Sequence, residues 1–328
     1  MTLALTAGPV LICALLAGCG GVGSVEPAPS VLATSLTPQQ TLLDPSTLGT
    51  GYRDILVPAS GALLGHYYGA GTLAETDARI GRRPQIHLTY YGWTDDWINS
   101  GATRSDVAQG RIPLVNWEPF DVDFNDIISG KYDAVIRARA DGAKALHAKF
   151  FLDFAAEMNE GEGWGGHDPQ RYVAAYRHIH DIFVQRGAAN AIWAWCPNNV
   201  DSDGAPKAAQ YYPGDAYVDW TGVDGYNWGT SVAGYGWESF RDVFVDIYPV
   251  LAAKRKPIIV GEMASDEVGG SKAEWIDDIV PTLKTTFPKI KAIVWFDIKK
   301  ERHWQINSST SSLAAYRRMA KDPYFHLR

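Results

Sequence analysis

Two glutamates stand where apolar stretches of the sequence end. Glu157 follows the run FFLDFAA and Glu262 follows the run IIVG, 105 residues further along the chain. A pair of carboxyl groups can act as general acid and nucleophile when one stays protonated and the other is ionised. Glycoside hydrolysis uses such a pair on the two sides of the bond that breaks. The fold would have to bring these two distant positions into one site.

The elements that could position them alternate between β-rich and helical patterns. Eight β-rich runs begin near residues 62, 83, 111, 149, 190, 217, 256 and 290. Helical segments lie between the later runs, among them PQRYVAAYRHIHDIFVQRG, which Gly187 ends, and ESFRDVFVDIYPVLAAKRK. Eight strands alternating with helices predict an α/β fold, the (β/α)8 TIM barrel. A doubly wound open sheet is the alternative, but no Gly-rich dinucleotide turn follows the first strand.

Active sites of such barrels lie at the carboxyl ends of the strands. Here those ends are polar and aromatic: Trp93, Trp117, Glu118, Glu157, Asn159, Trp195 to Asn199, Asp224 to Trp228, Glu262 and Trp295 to Asp297. Aromatic faces can stack on sugar rings, and carboxylates and amides can bind hydroxyl groups. The set predicts a sugar-binding cleft at one rim of the barrel.

Composition excludes several classes of partner. The formal net charge is -7 and the pI is about 5.6, without a cluster of Lys or Arg. We therefore expect neither nucleic-acid binding nor binding to an anionic membrane surface. The 46% of hydrophobic residues are enough for a sizeable core.

The first 51 residues read as targeting and tether sequence. Residues 1–19 are apolar and close on Leu16, Ala17, Gly18 and Cys19, which is typical of a signal peptide with a bacterial lipobox. We expect lipidation of Cys19, with ordinary cleavage and free secretion as the alternative. Residues 20–51 predict a flexible linker, and residues 52–328 a single (β/α)8 domain. The protein would then be secreted, and would touch the cell envelope only through its lipid.

Neither a metal nor a cofactor is expected. Of three cysteines, only Cys196 would stay in the folded domain, which excludes a disulfide framework and a thiolate metal site. His178 and His180 are two residues apart on a helix and point in different directions. We expect a monomer whose partner is a polysaccharide or oligosaccharide.

The predicted domain carries the motifs EMN at 157–159 and KPIIVGEMAS from Lys256, and the segments NWEP, DGYNWG, FPKIKAIVWFD and HWQINSS. Together these motifs resemble glycoside hydrolase family 26. The resemblance implies that Glu157 is the acid/base and Glu262 the nucleophile. It further implies that Tyr226 bonds to the nucleophile and that Trp295 is a stacking platform beneath the sugar.

Further substrate contacts are expected from residues in or beside the predicted strand ends, namely His66, Trp117, Asn159, Trp164 and Trp228. The sequence also departs from the family pattern. Members commonly carry Arg, His and Gly where this chain has Asp153, Ala156 and Glu160. The missing His would lie near the 2-hydroxyl of the substrate, so this difference bears on which sugar is bound.

The sequence as a whole predicts a retaining endo-β-glycanase. The substrate favoured by the resemblance is β-1,4-mannan, with β-glucan, xylan or an exopolysaccharide as alternatives. A non-catalytic polysaccharide-binding lipoprotein on the same scaffold is the hypothesis from another class, and a transglycosylase is a third possibility. Retention of both glutamates argues against a pure binding protein.

Overall fold

The computed structural model describes residues 54–69, 71–99, 101–160, 164 and 166–325. The predicted signal peptide, lipidation site and linker lie outside these residues and remain predictions. Among the residues described, no helix is both long and apolar enough to cross a membrane.

Eight parallel strands close into a barrel in sequence order, with β8 paired to β1. This confirms the predicted (β/α)8 fold. The strands are β1 Leu63–Tyr68, β2 Ile86–Gly92, β3 Ile112–Glu118, β4 Phe150–Phe154, β5 Ala191–Trp195, β6 Trp220–Asn227, β7 Ile258–Ser265 and β8 Ile290–Asp297.

Helices lie between the strands and after the last one. They are α1 Leu73–Ile80, α2 Ala102–Ala108, α3 Phe124–Ile128, α4 Asp133–Ala145, α5 Pro169–Arg186, α6 Phe240–Phe244, α7 Tyr248–Ala252, α8 Lys272–Asp277, α9 Ile279–Thr285 and α10 Thr310–Ala320. Helix α5 ends at Gly187, in a left-handed conformation, as its pattern predicted. The segment ESFRDVFVDIYPVLAAKRK forms two short helices instead of one. Pro249 explains the break, because proline lacks the N–H of a continuous helix and clashes with the carbonyl four residues earlier.

Alternation along the strands sorts the core into two layers. Ala292 and Val294 of β8 point into the barrel, whereas Ile293 and Trp295 point out toward the helices. The same alternation runs through β3, where Leu114 faces inward and Val115 faces outward. In a strand without a register shift, the face that a strand-end residue takes is therefore settled by its parity; β7 shifts register next to Glu262.

One strand glycine is required by close approach. A Cβ at Gly222 of β6 would lie 2.1 Å from the Sγ of Cys196, which is buried inside the barrel. Only the absence of a side chain lets this thiol occupy the barrel interior beside β6.

Candidate active site

Glu157 reaches the cleft through an irregular turn of backbone after β4. The strand ends at Phe154, three residues before the glutamate, and Ala155 and Glu157 have φ angles of 53° and 56°. Such angles are uncommon for residues with a side chain. The Glu157 N–H donates to the carbonyl of Cys196 at 2.8 Å, which ties the turn to the end of β5. The strained turn thus replaces the strand end that the sequence predicted at this position.

The surroundings of Glu157 favour its protonated form. Its side chain is half-buried, and the partial loss of solvent, the charge of Glu262 and the charge of Glu160 together raise the pKa well above the usual range. The Nδ2 of Asn198 donates to Oε1 at 2.8 Å and acts in the opposite direction. A carboxyl group held protonated near neutral pH can serve as a general acid.

Glu262 lies in β7, where the pairing of the strand with both neighbours shifts register. The hydroxyl of Tyr226 donates to Oε2 and that of Tyr90 to Oε1, each at 2.5 Å. Asn116 Nδ2 lies 3.4 Å from Oε1. Burial raises the pKa of Glu262 above its usual value, and the two tyrosine bonds and the charge of Lys300 offset part of that rise. Donors surround this carboxyl group, and they stabilise the ionised form that a nucleophile needs.

The two glutamates line one cavity of about 420 Å³ at the carboxyl ends of the strands. Its other walls come from Asn116, Glu118, Phe120, Ala156, Glu160 and Trp164. The volume lies within the range of small-ligand sites. The barrel therefore brings together the two carboxyl groups that the sequence separates by 105 residues.

The cleft and the barrel interior below it are rich in acids. Burial, with the charge of Glu262, raises the pKa of Glu118 to about 7. Burial likewise raises the pKa of Asp153 to about 7 and that of Asp224 well above its usual range. In the described part of the chain, no three His, Cys, Asp or Glu side chains are grouped so as to hold a metal ion. Such a cleft suits a neutral ligand rich in hydroxyl groups better than an anion.

Three further residues named from the sequence lie at or beside this cleft. Tyr226 bonds to Glu262, as described above. Trp164 forms part of the cavity wall, and its Nε1 donates to the carbonyl of Ala156 at 2.6 Å. Trp228 is half-buried, with its ring centroid 6.2 Å from that of Tyr226 and 5.2 Å from that of Trp304.

Asn159 is buried behind the cleft and acts on it indirectly. Its Nδ2 donates to Asp201 Oδ1 at 2.9 Å, and its Oδ1 accepts from the backbone N–H of Asn198 at 2.8 Å. Asn198 is the residue that bonds to Glu157. Asn159 therefore supports a partner of the acid, and it does not face a substrate.

The predicted substrate contacts of Trp295, Trp117 and His66 are corrected by the structure, because all three are fully buried. Trp295 and Trp117 point outward from β8 and β3 into the layer between strands and helices. Trp295 packs 5.3 Å from Tyr316 of α10, measured between ring centroids. His66 Nδ1 lies 3.0 Å from the hydroxyl of Tyr316, and its Nε2 lies 3.1 Å from Asp297. These side chains hold the barrel wall together.

Several cleft residues were not recognised in the sequence. Tyr90 and Asn116 face inward near the ends of β2 and β3, and the alternation of strand side chains combined with their late position could have identified them. Phe120 lies in a loop, is 57% exposed, and touches Trp164 at 5.1 Å between ring centroids. Nothing local to its sequence marks it as part of a cleft.

Comparison with known proteins places this geometry among glycosidases. The sequence model of glycosyl hydrolase family 26 matches residues 122–317. Endoglucanase H of Acetivibrio thermocellus is 40% identical over 250 residues, which are 72% of this chain and 27% of that enzyme. The chain thus spans about a quarter of that relative. Mannan endo-1,4-beta-mannosidase of Bacillus subtilis is 23% identical over 303 residues, or 77% of each chain.

Solved structures share the fold at low identity. A mannanase of Bacillus subtilis superimposes with a TM-score of 0.57 and 20% identity, over 79% of this chain and 86% of its own. The family 26 domain of an endo-beta-mannanase/endo-beta-glucanase from Prevotella bryantii gives a TM-score of 0.60 and 14% identity, over 81% and 90%.

Proposed function

Because the chain belongs to glycosyl hydrolase family 26, we propose that it is a retaining endo-β-glycanase that uses Glu157 and Glu262. One observation carries the proposal: two carboxyl groups line a single cavity, and the pKa of Glu157 is raised further above the usual range than that of Glu262, which accepts two tyrosine hydroxyls. Carboxylate neighbours and burial keep a proton on Glu157, while tyrosine hydroxyls stabilise the anion of Glu262. Pairs of acids set apart in this way define the general acid and the nucleophile.

The first step would form a covalent intermediate. Glu157 donates its proton to the glycosidic oxygen as the bond to the anomeric carbon breaks, and a carboxylate oxygen of Glu262 bonds to that carbon. The leaving chain departs with the proton. Asn198, which donates to Glu157, stabilises the carboxylate that remains.

The second step would release the sugar. Glu157, now ionised, takes a proton from a water molecule whose oxygen attacks the anomeric carbon, and the ester bond to Glu262 breaks. Each step inverts the anomeric centre, so the product keeps the β configuration. Tyr226 and Tyr90 receive the regenerated carboxylate of Glu262 with two hydrogen bonds.

For the substrate we propose β-glucan first and β-1,4-mannan second. The relative named as an endoglucanase is 40% identical, against 23% for the mannosidase. Ala156 stands where the family commonly has His, beside the expected position of the sugar 2-hydroxyl, the group whose orientation differs between glucose and mannose. The prediction of mannan from the sequence stays open, and both polymers belong in the test.

The test measures reducing ends released from mixed-linkage glucan, cellulose, mannan, galactomannan and xylan. Glu262→Ala should lower the rate of release by several orders of magnitude. Glu274 is an exposed acid of α8 outside the cavity, and Glu274→Ala should leave the rate unchanged. Proton NMR of the first product should show the β anomer. Turnover by Glu262→Ala close to that of the wild type refutes the assignment, and an α product refutes retention.

Glu157 has its own test. Glu157→Ala should lose far more activity on polysaccharide than on aryl glycosides with good leaving groups, because acid assistance matters less when departure is easy. Equal losses on the two substrates would contradict its role as the acid.

A further inference from the structure

The loop after β8, residues 298–309, is held by a buried cation. Its Lys300 lies close enough to the site for its charge to lower the pKa values of Glu157 and Glu262. Lys272, the first residue of α8, is fully buried. Its Nζ donates to the carbonyls of His303 and Gln305 at 2.7 and 2.8 Å, and to Ser308 Oγ at 2.9 Å. An ammonium has three donors and no acceptor, so all of its hydrogen-bonding capacity is used on this loop.

A buried ammonium is costly unless it is fully bonded. Burial lowers the pKa of Lys272 to about 8, which still leaves the side chain charged at neutral pH. Ser308 bridges the ammonium and a carboxylate: its hydroxyl accepts from Lys272 and donates to Glu267 Oε1 at 2.6 Å. The loop is also fixed at Ile306, whose N–H donates to Asp297 Oδ1 at 2.7 Å.

The two carbonyls that Lys272 binds flank Trp304. The Trp304 side chain is 1% exposed, and its ring centroid lies 5.0 Å from that of Tyr226. Its Nε1 donates to Glu301 Oε2 at 3.2 Å. The Tyr226 hydroxyl in turn donates to Glu262. A path of contacts therefore runs from the ammonium to the backbone on both sides of Trp304, and from the Trp304 indole through the Tyr226 ring to the Glu262 carboxylate.

We propose that Lys272 is a positioning residue for the nucleophile: it holds Trp304 so that Tyr226 keeps its hydrogen bond to Glu262. This inference rests on the proposed function of Glu262. Lys272 belongs to the helical layer, and the proposal gives it an effect on the rate of the step that Glu262 performs. A lysine that only stabilised the fold would act equally with and without the Tyr226 hydroxyl.

The test is a double-mutant cycle on turnover. Lys272→Met should lower kcat about tenfold with a smaller change in KM, as expected when one charge-assisted hydrogen bond is misaligned. In a Tyr226→Phe background the same change should cost less than about threefold, because the bond it protects is already gone. Equal losses in the two backgrounds overturn the proposal.

The matched control is Lys289→Met. Lys289 precedes β8 at the opposite end of the barrel, and its Nζ donates to the carbonyl of Ala252 at 2.8 Å. We expect kcat to stay near that of the wild type. Lys289 is half-buried. A loss equal to that of Lys272→Met would show that loss of any lysine bonded to a backbone carbonyl has the same effect, which overturns the proposal.

A second variant and a second readout cover the cases in which turnover of Lys272→Met cannot be measured. If Lys272→Met does not fold, Ser308→Ala removes one acceptor of the ammonium, and its loss of kcat should again disappear in the Tyr226→Phe background. If the wild type itself releases no sugar, the proposed function fails, and the positioning claim is judged on melting temperatures. The shifts in melting temperature of the three variants, relative to the wild type, should then be non-additive, and additive shifts overturn the claim.

Discussion

The two tyrosine hydroxyls on Glu262 give the sharpest test of the site. Tyr226→Phe removes one hydrogen bond of 2.5 Å and leaves the aromatic ring in place. Hydrogen bonds to charged groups contribute about 1.5 to 3 kcal/mol. Since one pKa unit corresponds to 1.36 kcal/mol, losing the bond should raise the pKa of Glu262 by about 1 to 2 units.

The sign of the effect on activity follows from the role of Glu262. A nucleophile must be ionised, so kcat/KM rises with pH through its pKa in the free enzyme. A higher pKa moves this acidic limb to higher pH. The basic limb, which reports the acid Glu157, should move less, because Tyr226 does not bond to that side chain.

The assay is the pH profile of kcat/KM for wild type, Tyr226→Phe and Tyr90→Phe. Both variants should shift the acidic limb in the same direction, because the two bonds have the same length. Tyr176→Phe is the control, because Tyr176 lies in the outer layer and its hydroxyl donates to the backbone carbonyl of Ala194. An acidic limb of Tyr226→Phe that coincides with that of the wild type refutes the argument.

Two other predictions concern the cleft wall and the barrel interior. Phe120→Ala should raise KM for polysaccharide about 2- to 10-fold, which is the equivalent of one aromatic contact of about 0.5 to 1.5 kcal/mol. KM for small aryl glycosides should not change. An unchanged KM for the polymer contradicts a contact between Phe120 and the sugar. Gly222→Ala should lower the free energy of unfolding by about 1 to 3 kcal/mol, because its methyl group meets the buried thiol at 2.1 Å. Urea unfolding measures this loss. Gly236→Ala, with nothing within 4 Å of the new methyl group, should be neutral, and equal stability of the two variants contradicts the packing argument.

The barrel could be predicted because buried parallel strands are nearly continuous apolar runs, which stand out between amphipathic helices. Its topology then predicts that the segments carrying Glu157 and Glu262 meet at one rim. The likeness of both segments to a known family pointed the same way. The sequence could therefore predict that these two distant segments lie close together in the fold.

The direction of individual side chains was harder. Trp295 and Trp117 end strands, as the rim interpretation required, but they point outward. A count of alternation from Val294 or Leu114, both inward, would have assigned them to the outer layer. The residue type at a strand end does not show which face the side chain takes. The prediction for Trp117 relied on residue type, and that for Trp295 relied also on the family resemblance.

Other features depend on tertiary contacts that no local pattern contains. The segment DFAAEMN has no glycine to mark the left-handed turn at Glu157, which is held by bonds to the end of β5. Lys272 reads as an ordinary charged residue at a helix start, although its acceptors lie more than 30 residues away in the chain. Tertiary structure overrides local preference at both positions.

The peptide group between Ala156 and Glu157 is fixed by hydrogen bonds at both its carbonyl and its N–H. Its carbonyl accepts from the Trp164 indole, and its N–H donates to the carbonyl of Cys196. A sugar bound against Trp164 would therefore affect the same planar peptide group that orients the Glu157 side chain. Chain length of the substrate should then influence turnover as well as affinity, because binding energy gained at a distant sugar unit reaches the proton donor through one amide.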